Sequence, residues 1–127
     1  MHEENLIEVR NLKKYFPIKK GLFGRKTEQL KAVDDLSFTI KKGETFGLVG
    51  ESGCGKSTTG RSIIRLHDVT SGNVLFDGKD IASLKESELK EYRKRMQIIF
   101  QDPYASLNPA MNVFQIISEP MNIHGSY

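Results

Sequence analysis

The sequence predicts an α/β fold built around a strand, a glycine-rich turn and a helix, and three observations carry this prediction. The run Thr45-Phe46-Gly47-Leu48-Val49 leads through a glycine-rich turn into residues 58–66, which place Thr59, Ile63 and Leu66 at helical spacing. Residues 6–10 and 36–40 alternate apolar and polar side chains, as half-exposed strands do. The apolar run Gln97-Ile98-Ile99-Phe100 predicts a further strand.

The glycine-rich turn has the sequence Gly50-Glu51-Ser52-Gly53-Cys54-Gly55-Lys56-Ser57-Thr58. It matches G-x-x-x-x-G-K-[S/T], in which backbone N–H groups and the start of the following helix form a concave anion site. In such a loop Lys56 places a positive charge on the β- and γ-phosphates, and the Ser57 hydroxyl ligates Mg²⁺. Because the predicted strand and helix supply the context that the motif requires, the sequence favours a phosphate site over a plain glycine-rich turn.

The composition favours one soluble domain of 127 residues, with 38% apolar and 28% charged residues. No apolar run approaches the roughly 18 residues that cross a bilayer, and the N-terminus lacks a secretory signal pattern. Cys54 is the only cysteine, which excludes an internal disulfide and favours a cytosolic setting. The net charge of +3 permits contact with nucleic acid or anionic lipid but argues for neither.

The first predicted strand runs toward Pro17, where proline is expected to end the ladder. The adjacent aromatic residues Tyr15 and Phe16 have two interpretations, packing at the edge of the fold or stacking on a base. Residues 17–29 predict a mobile basic loop, with Leu22 and Phe23 as anchors. A solvated loop is favoured there over a patch that binds a phosphate backbone.

In the second half, the Asp-Gly pair after the strand at residues 73–76 predicts that Asp77 is a turn residue and not an acid that supports Mg²⁺. Ser83 and Glu86 predict a capping box that opens a helix. Gln101 follows the predicted strand 97–100, so it is expected to face the phosphate loop from the carboxyl end of the sheet. Residues 113–117 predict a short helix that closes before Pro120.

Taken with Met96-Gln97-Ile98-Ile99-Phe100-Gln101-Asp102-Pro103, the loop at residues 50–58 resembles the nucleotide-binding subunits of ABC transporters. The run Gln101-Asp102-Pro103-Tyr104-Ala105-Ser106-Leu107-Asn108-Pro109 is similar to one branch of that family, the oligopeptide/dipeptide importers, as is Leu12-Lys13-Lys14-Tyr15-Phe16-Pro17 before a basic loop. The resemblance implies an α/β fold with a P-loop NTPase-type partial core sheet and an antiparallel β subdomain, as in a truncated ABC nucleotide-binding domain. Residues 1–127 would be the N-terminal portion of the nucleotide-binding domain, and about 102–127 the start of its helical subdomain.

The resemblance also implies ATP and Mg²⁺ as ligands. Phe16 matches the aromatic residue that stacks on adenine, Tyr15 is the alternative, and Val33 is a second adenine contact. Gln101 matches the Q-loop glutamine, which reaches the Mg²⁺ and the attacking water. Lys56 and Gln101 are then the catalytic candidates, and Ser57 and Gln101 the metal ligands. The implied nucleotide contacts are Phe16, Tyr15, Val33, Gly50, Glu51, Ser52, Gly53, Cys54, Gly55, Lys56, Ser57 and Thr58.

The implied partners are membrane-spanning permease subunits, which meet residues 102–120, and a second nucleotide-binding subunit, at the cytoplasmic face of the cell membrane. No nucleic acid is implied. The family's signature motif, catalytic glutamate and switch histidine have no counterpart in this sequence. The three histidines of this chain, His2, His67 and His124, are assigned no role. We therefore expect an N-terminal fragment of a longer subunit that is inactive as an ATPase by itself and leaves an apolar strand edge uncovered. The alternative is a nucleotide-binding regulatory module or another P-loop ATPase not coupled to transport; a GTPase is disfavoured because Asn-Lys-x-Asp is absent.

Overall fold

The computed structural model describes residues 4–21 and 26–125, and the chain divides into two units between Leu84 and Lys85. The first unit contains β1 (Asn5–Lys20), β2 (Lys26–Lys41), α1 (Lys56–Ile63), β3 (Ser71–Phe76) and β4 (Lys79–Asp80). The second contains α2 (Glu86–Arg93), a 3₁₀ turn (Tyr104–Ser106) and α3 (Val113–His124). In the described part of the chain, no helix is both long enough and apolar enough to cross a bilayer.

The strands form one antiparallel sheet in the order β2-β1-β3-β4, which confirms the predicted antiparallel subdomain. The alternating stretches at residues 6–10 and 36–40 lie in β1 and β2, and the short strand predicted at 73–76 lies in β3. Apolar side chains from one face of the sheet and from the segment after β4 are buried together, which produces the core of this unit. The buried apolar residues of the first unit are Ile7, Val9, Leu12, Val33, Val74, Phe76, Ile81 and Leu84.

The β1–β2 hairpin is irregular at its centre. Asn11 and Asp35 both adopt left-handed backbone angles, with φ of 47° and 58°. The Asn11 side-chain amide donates to the Asp35 carboxylate at 2.8 Å, and the register shifts on both sides of Leu12. Such bulges bend a strand and change the direction of its side chains. The side chains beyond Leu12 therefore do not continue the alternation between the two faces of the sheet that the first half of β1 predicts.

The prediction that Pro17 ends the ladder is wrong, because β1 continues to Lys20 and Pro17 is the partner of Gln29 on β2. Pairing between β1 and β3 extends only as far as Lys13. Beyond that point β1 has one neighbour among the residues that the structure describes, and a residue that lacks an N–H is tolerated on a strand with one paired side. The basic loop expected at 17–29 is therefore strand at both ends, while Leu22 and Phe23 lie outside the described residues.

Two predicted strands are absent from the sheet. Residues 45–49 and 97–100 form no ladder with any part of the chain that the structure describes. Phe46 stacks on Phe38 of β2 with ring centroids 4.7 Å apart, whereas Val49 and Ile99 are 90% and 91% exposed. Both runs are apolar as the sequence indicated, but within residues 4–21 and 26–125 the backbone of neither segment pairs with a strand.

Local turn and capping signals are reproduced with small shifts. Asp77 and Gly78 both have positive φ, 51° and 81°, and join β3 to β4, which confirms Asp77 as a turn residue. Helix α2 begins two residues later than predicted: the Glu88 carboxylate accepts from the Lys85 N–H at 3.1 Å, and Ser83 does not cap it.

Helix α3 does not close before Pro120, which lies inside it. The Asn112 and Gln115 side chains each accept from the other's N–H at 2.9 Å, and this reciprocal cap fixes the start of the helix. Proline removes one backbone hydrogen bond, and the helix continues for another turn to a left-handed Gly125.

Candidate phosphate-binding site

The loop at residues 50–58 forms a tight turn that ends where helix α1 begins. The Cys54 N–H donates to the Glu51 carbonyl at 3.2 Å, which closes the turn. Gly55 is the N-cap of α1, and its carbonyl accepts both the N–H and the hydroxyl of Thr59 at 2.8 Å. Since Thr59 is buried, these two bonds fix the loop to the first turn of the helix.

Gly55 lies directly against the backbone of β2. It has a φ of 96°, and a Cβ placed on it would lie 2.2 Å from the carbonyl oxygen of Ala32. A backbone atom at that distance leaves no room for any side chain, and L-residues rarely adopt this φ. The loop therefore takes its position from strand β2 as well as from its own turn.

The Lys56 ammonium lies within the loop. It donates to the carbonyl oxygens of Gly50 and Glu51, the latter at 2.7 Å, and lies 3.7 Å from the Cys54 sulfur. The first turn of α1 contains no acidic residue, and no side chain caps its end. A cation and the positive end of a helix dipole thus lie together, which is the electrostatic pattern of an anion site.

A cleft of about 210 Å³ opens between this loop and strand β2. Its lining includes the loop residues that bear the motif and a short stretch of β2, with apolar residues between them. The lining residues are Ala32, Val33, Asp34, Leu36, Leu48, Val49, Cys54, Gly55, Lys56 and Thr59. The predicted second base contact, Val33, therefore shares a cleft with the phosphate loop.

Tyr15 and Lys31 contact the one carboxylate among the described lining residues. The Tyr15 hydroxyl donates to Asp34, and the Lys31 ammonium lies 3.8 Å from Asp34 and 5.4 Å from the centre of the Tyr15 ring. The hydrogen bond from Tyr15 is the main cause that lowers the pKa of Asp34, with Lys31 acting in the same direction. The same bond, with some burial, raises the pKa of Tyr15. Asp34 is thus held ionised, and Tyr15 protonated, at neutral pH.

Phe16 does not line the cleft in this structure. Its ring meets His67 edge to face with centroids 5.5 Å apart, and the Lys14 ammonium lies 4.8 Å from its centre. His67, which the sequence left without a role, thus packs against the aromatic residue predicted to stack on adenine. The stacking role of Phe16 stays a prediction.

Gln101 lies in the second unit and is exposed. The next residue, Asp102, accepts the N–H groups of Tyr104 at 3.1 Å and Ala105 at 3.3 Å, which organises the 3₁₀ turn. Ser57 is exposed at the second position of α1, in the first unit. The predicted joint role of Gln101 and Ser57 at a metal therefore stays a prediction.

Sequence reasoning missed Ala32, Asp34 and Thr59. Thr59 was identified only by helical spacing, although its hydroxyl closes the loop. The pair Asp34-Asp35 resembles an ordinary polar strand end, and no local pattern separates the residue that lines the cleft from the one that bonds Asn11. Only the adjacency of Asp34 to Val33 pointed toward the site.

Comparison with known proteins gives consistent matches. A family model described as ABC transporter matches residues 33–123. The oligopeptide transport ATP-binding proteins AppF and OppF of Bacillus subtilis (strain 168) are 56% and 57% identical over 99% and 95% of this chain. The glutathione import ATP-binding protein GsiA of Pectobacterium atrosepticum is 49% identical over 97%. This chain covers 39%, 38% and 20% of those three proteins, so it spans at most about two fifths of their length.

Solved structures agree with the sequence matches. The dimeric structure of MJ0796, a bacterial ABC transporter cassette, superposes with a TM-score of 0.74 at 29% identity, over 93% of this chain and 47% of that one. The post-hydrolysis state of MJ0796 bound to ADP and Pi gives the same TM-score at 28% identity and the same coverage. These scores support the same arrangement of the antiparallel sheet, the loop and helix α1.

Proposed function

The chain belongs to the ABC transporter family, and we propose that it supplies the ATP-binding loop of a subunit that energises the import of oligopeptides or dipeptides. The observation that carries the proposal is the loop at residues 50–58, seated against Ala32 with Lys56 and the start of α1 at its centre. Peptide import is supported by the printed functions of AppF and OppF, which share more than half of the aligned residues with this chain.

In the proposed complex the β- and γ-phosphates take the place of the Gly50 and Glu51 carbonyls as partners of Lys56. A phosphate oxygen is a stronger acceptor for an ammonium than a neutral carbonyl is, because the hydrogen bond is then assisted by both charges. The backbone N–H groups of the first turn of α1 complete the cradle, and the helix dipole favours the same sign of charge. Binding is thus mainly electrostatic and mainly to phosphate.

The residues also fit Mg²⁺ that arrives with the nucleotide. Mg²⁺ keeps several waters and binds phosphates together with one or two protein ligands. The exposed hydroxyl of Ser57 can therefore serve as a protein ligand without a preformed metal cage. Within the described residues, no three His, Cys, Asp or Glu side chains cluster as a preformed metal cage would require. The metal supplies charge neutralisation on the phosphates. In the whole subunit Gln101 is proposed to reach the metal and orient the attacking water, with Lys56 as the second catalytic residue.

For the base, we propose stacking of adenine on Phe16, with Tyr15 as the alternative and Val33 as the second contact. Val33 is buried and lines the cleft beside the loop, which supports its assignment. Both rings already have partners: Lys31 lies against the Tyr15 ring and the Tyr15 hydroxyl is bonded to Asp34, while the Phe16 ring contacts His67 and Lys14. The preference for Phe16 therefore rests on the family resemblance of residues 12–17.

The proposed partners follow from the relatives. A dimer is described for MJ0796 and import for GsiA, so we propose a second nucleotide-binding subunit and membrane-spanning permease subunits as partners, at the cytoplasmic face of the membrane. The proposed permease contact lies at residues 102–120, most of which are exposed. ATP hydrolysis is assigned to the full-length subunit.

Binding of MgATP to this chain tests the first step of the proposal. We expect weak MgATP binding at best and no meaningful turnover, and we expect Lys56→Ala to weaken the binding about tenfold, the value of one lost charge-assisted hydrogen bond. Isothermal titration calorimetry gives the affinity, and Lys79→Ala, which removes an exposed lysine from β4, is the matched control. Equal affinities for the two variants would contradict the assignment of Lys56, and turnover that depends on Lys56 would contradict the expected inactivity.

A regulatory nucleotide-binding module is the second candidate function. The two candidates differ in whether the full-length subunit has a membrane partner. We expect the full-length subunit to co-purify with membrane permease subunits from detergent extracts, and substitutions at exposed residues of the 102–120 segment to reduce that recovery. Recovery of a subunit that binds ATP but never carries a permease would favour the regulatory module.

A further inference from the structure

The cleft beside the phosphate loop carries two opposite charges. Among its described lining residues, Lys56 is the only cation and Asp34 the only anion. A triphosphate is attracted by the first and repelled by the second, which orients any nucleotide that enters. The part of the ligand that faces Asp34 must therefore be something other than phosphate.

The carboxylate of Asp34 is fixed in place by residues of the hairpin. Tyr15 donates its hydroxyl to Oδ1, and the Lys31 ammonium lies 3.8 Å from Oδ2. A carboxylate offers about four lone-pair positions, so two acceptor positions remain after these contacts. The side chain is 46% exposed and its lowered pKa keeps it ionised, so it is accessible to a ligand as a pure acceptor.

We propose that Asp34 is a specificity-determining residue that accepts a hydrogen bond from a donor on the nucleoside half of the bound nucleotide. Adenosine carries three such donors, the 6-amino group and the 2′- and 3′-hydroxyls. This inference rests on the proposed ATP binding and extends it, because it assigns the recognition of the nucleoside to a carboxylate that Tyr15 and Lys31 hold in the cleft.

Tripolyphosphate separates this role from phosphate binding, because it carries the phosphates without the nucleoside. We expect Asp34→Asn to weaken binding of MgATP about tenfold, since a charged acceptor is replaced by a neutral one. Binding of magnesium tripolyphosphate is expected to stay the same or to strengthen, because a repulsive charge has gone. Tyr15→Phe, which frees the carboxylate without removing it, is expected to weaken MgATP binding by a smaller factor.

Asp35→Asn is the matched control. Asp35 bonds Asn11 and does not line the cleft, and asparagine tolerates its left-handed backbone. We expect unchanged affinities for both ligands. Comparison of ATP with ITP, 2′-deoxyATP and 3′-deoxyATP identifies the donor. The analogue that lacks it should bind the wild-type chain more weakly than ATP does, whereas the Asp34→Asn variant should bind that analogue and ATP equally well.

The outcomes distinguish this inference from the function on which it rests. If the wild-type chain binds neither MgATP nor tripolyphosphate, the proposed function fails and the inference fails with it. If the wild-type chain binds both, the inference alone is overturned by any of three results: no change for Asp34→Asn, an equal change for both ligands, or analogue penalties that all persist in the variant.

Discussion

Replacing Gly55 with alanine is expected to weaken MgATP binding by roughly 100-fold or more, the largest effect of any single change in the loop. The added methyl group would lie 2.2 Å from the Ala32 carbonyl oxygen, and the residue would keep a φ of 96° that alanine disfavours. Either the loop or strand β2 must move, and both line the cleft. Calorimetry with MgATP and with magnesium tripolyphosphate measures the loss.

Two other glycines provide graded controls for this prediction. Gly53 has a φ of 79° but nothing within 4 Å of its added Cβ, so Gly53→Ala tests backbone strain without a clash and should cost about tenfold. Gly60 lies inside α1 with open space around it, and Gly60→Ala should leave binding unchanged and slightly stabilise the helix. Equal losses for Gly55→Ala and Gly53→Ala would show that the contact with Ala32 does not matter.

Features that depend on neighbouring residues in the chain were predictable. The helix predicted at residues 58–66 is found as α1 at Lys56–Ile63, so it begins inside the motif and ends before Leu66, and the glycines and the motif determine its start locally. The Asp77-Gly78 turn was predictable for the same reason, since both residues accept positive φ. The strands at residues 6–10 and 36–40 followed from alternation of apolar and polar residues, which reports one buried face, whereas their antiparallel arrangement was implied by the family resemblance.

Features that depend on a distant partner were not predictable. A strand exists only where another backbone completes its ladder. The apolar pattern at residues 45–49 is compatible with a strand, but no described segment pairs with it. For the same reason Pro17 was expected to end β1, since nothing local shows that β1 has only one neighbour at that point.

The candidate site shows the same division. The loop at residues 50–58 was located from its motif, and its phosphate contacts stay a prediction. Asp34 was not located, because its place in the cleft depends on the register of β1 and β2. That register shifts between Val9 and Leu12 and twice more before Tyr15, and each shift changes which side chains meet. The pairing of Tyr15 with Asp34, nineteen residues apart, is a product of these bulges.

Arg65 holds the end of helix α1 to the segment that follows β4. Its side chain is only 10% exposed. The guanidinium donates to the carbonyl oxygens of Ile81 at 3.0 Å, Leu84 at 3.4 Å and Ala82, and to the Asp68 carboxylate at 3.0 Å. Three carbonyls of this segment thus accept from a single side chain, although the Ile81 carbonyl also accepts the Leu84 N–H at 3.5 Å.

Arg65→Met is expected to lower the free energy of unfolding by about 2–4 kcal/mol, because methionine fills much of the volume but leaves these carbonyls without their donor. Ile81 is fully buried and Leu84 nearly so, so water has little access in compensation. The melting temperature should fall by about 10 °C for a chain of this size. Urea unfolding followed by circular dichroism measures the change.

Arg61→Met is the matched control, because it removes an exposed arginine from the last turn of α1, and we expect a change within about 0.5 kcal/mol. Arg65→Lys should lie between the two, since an ammonium keeps the charge but cannot reach several carbonyls with a planar fork of donors. If Arg65→Met and Arg61→Met cost the same, the loss comes from removing a positive charge near the end of α1 and not from the carbonyls. If Arg65→Lys matches the wild-type chain, the charge matters and the shape of the guanidinium does not.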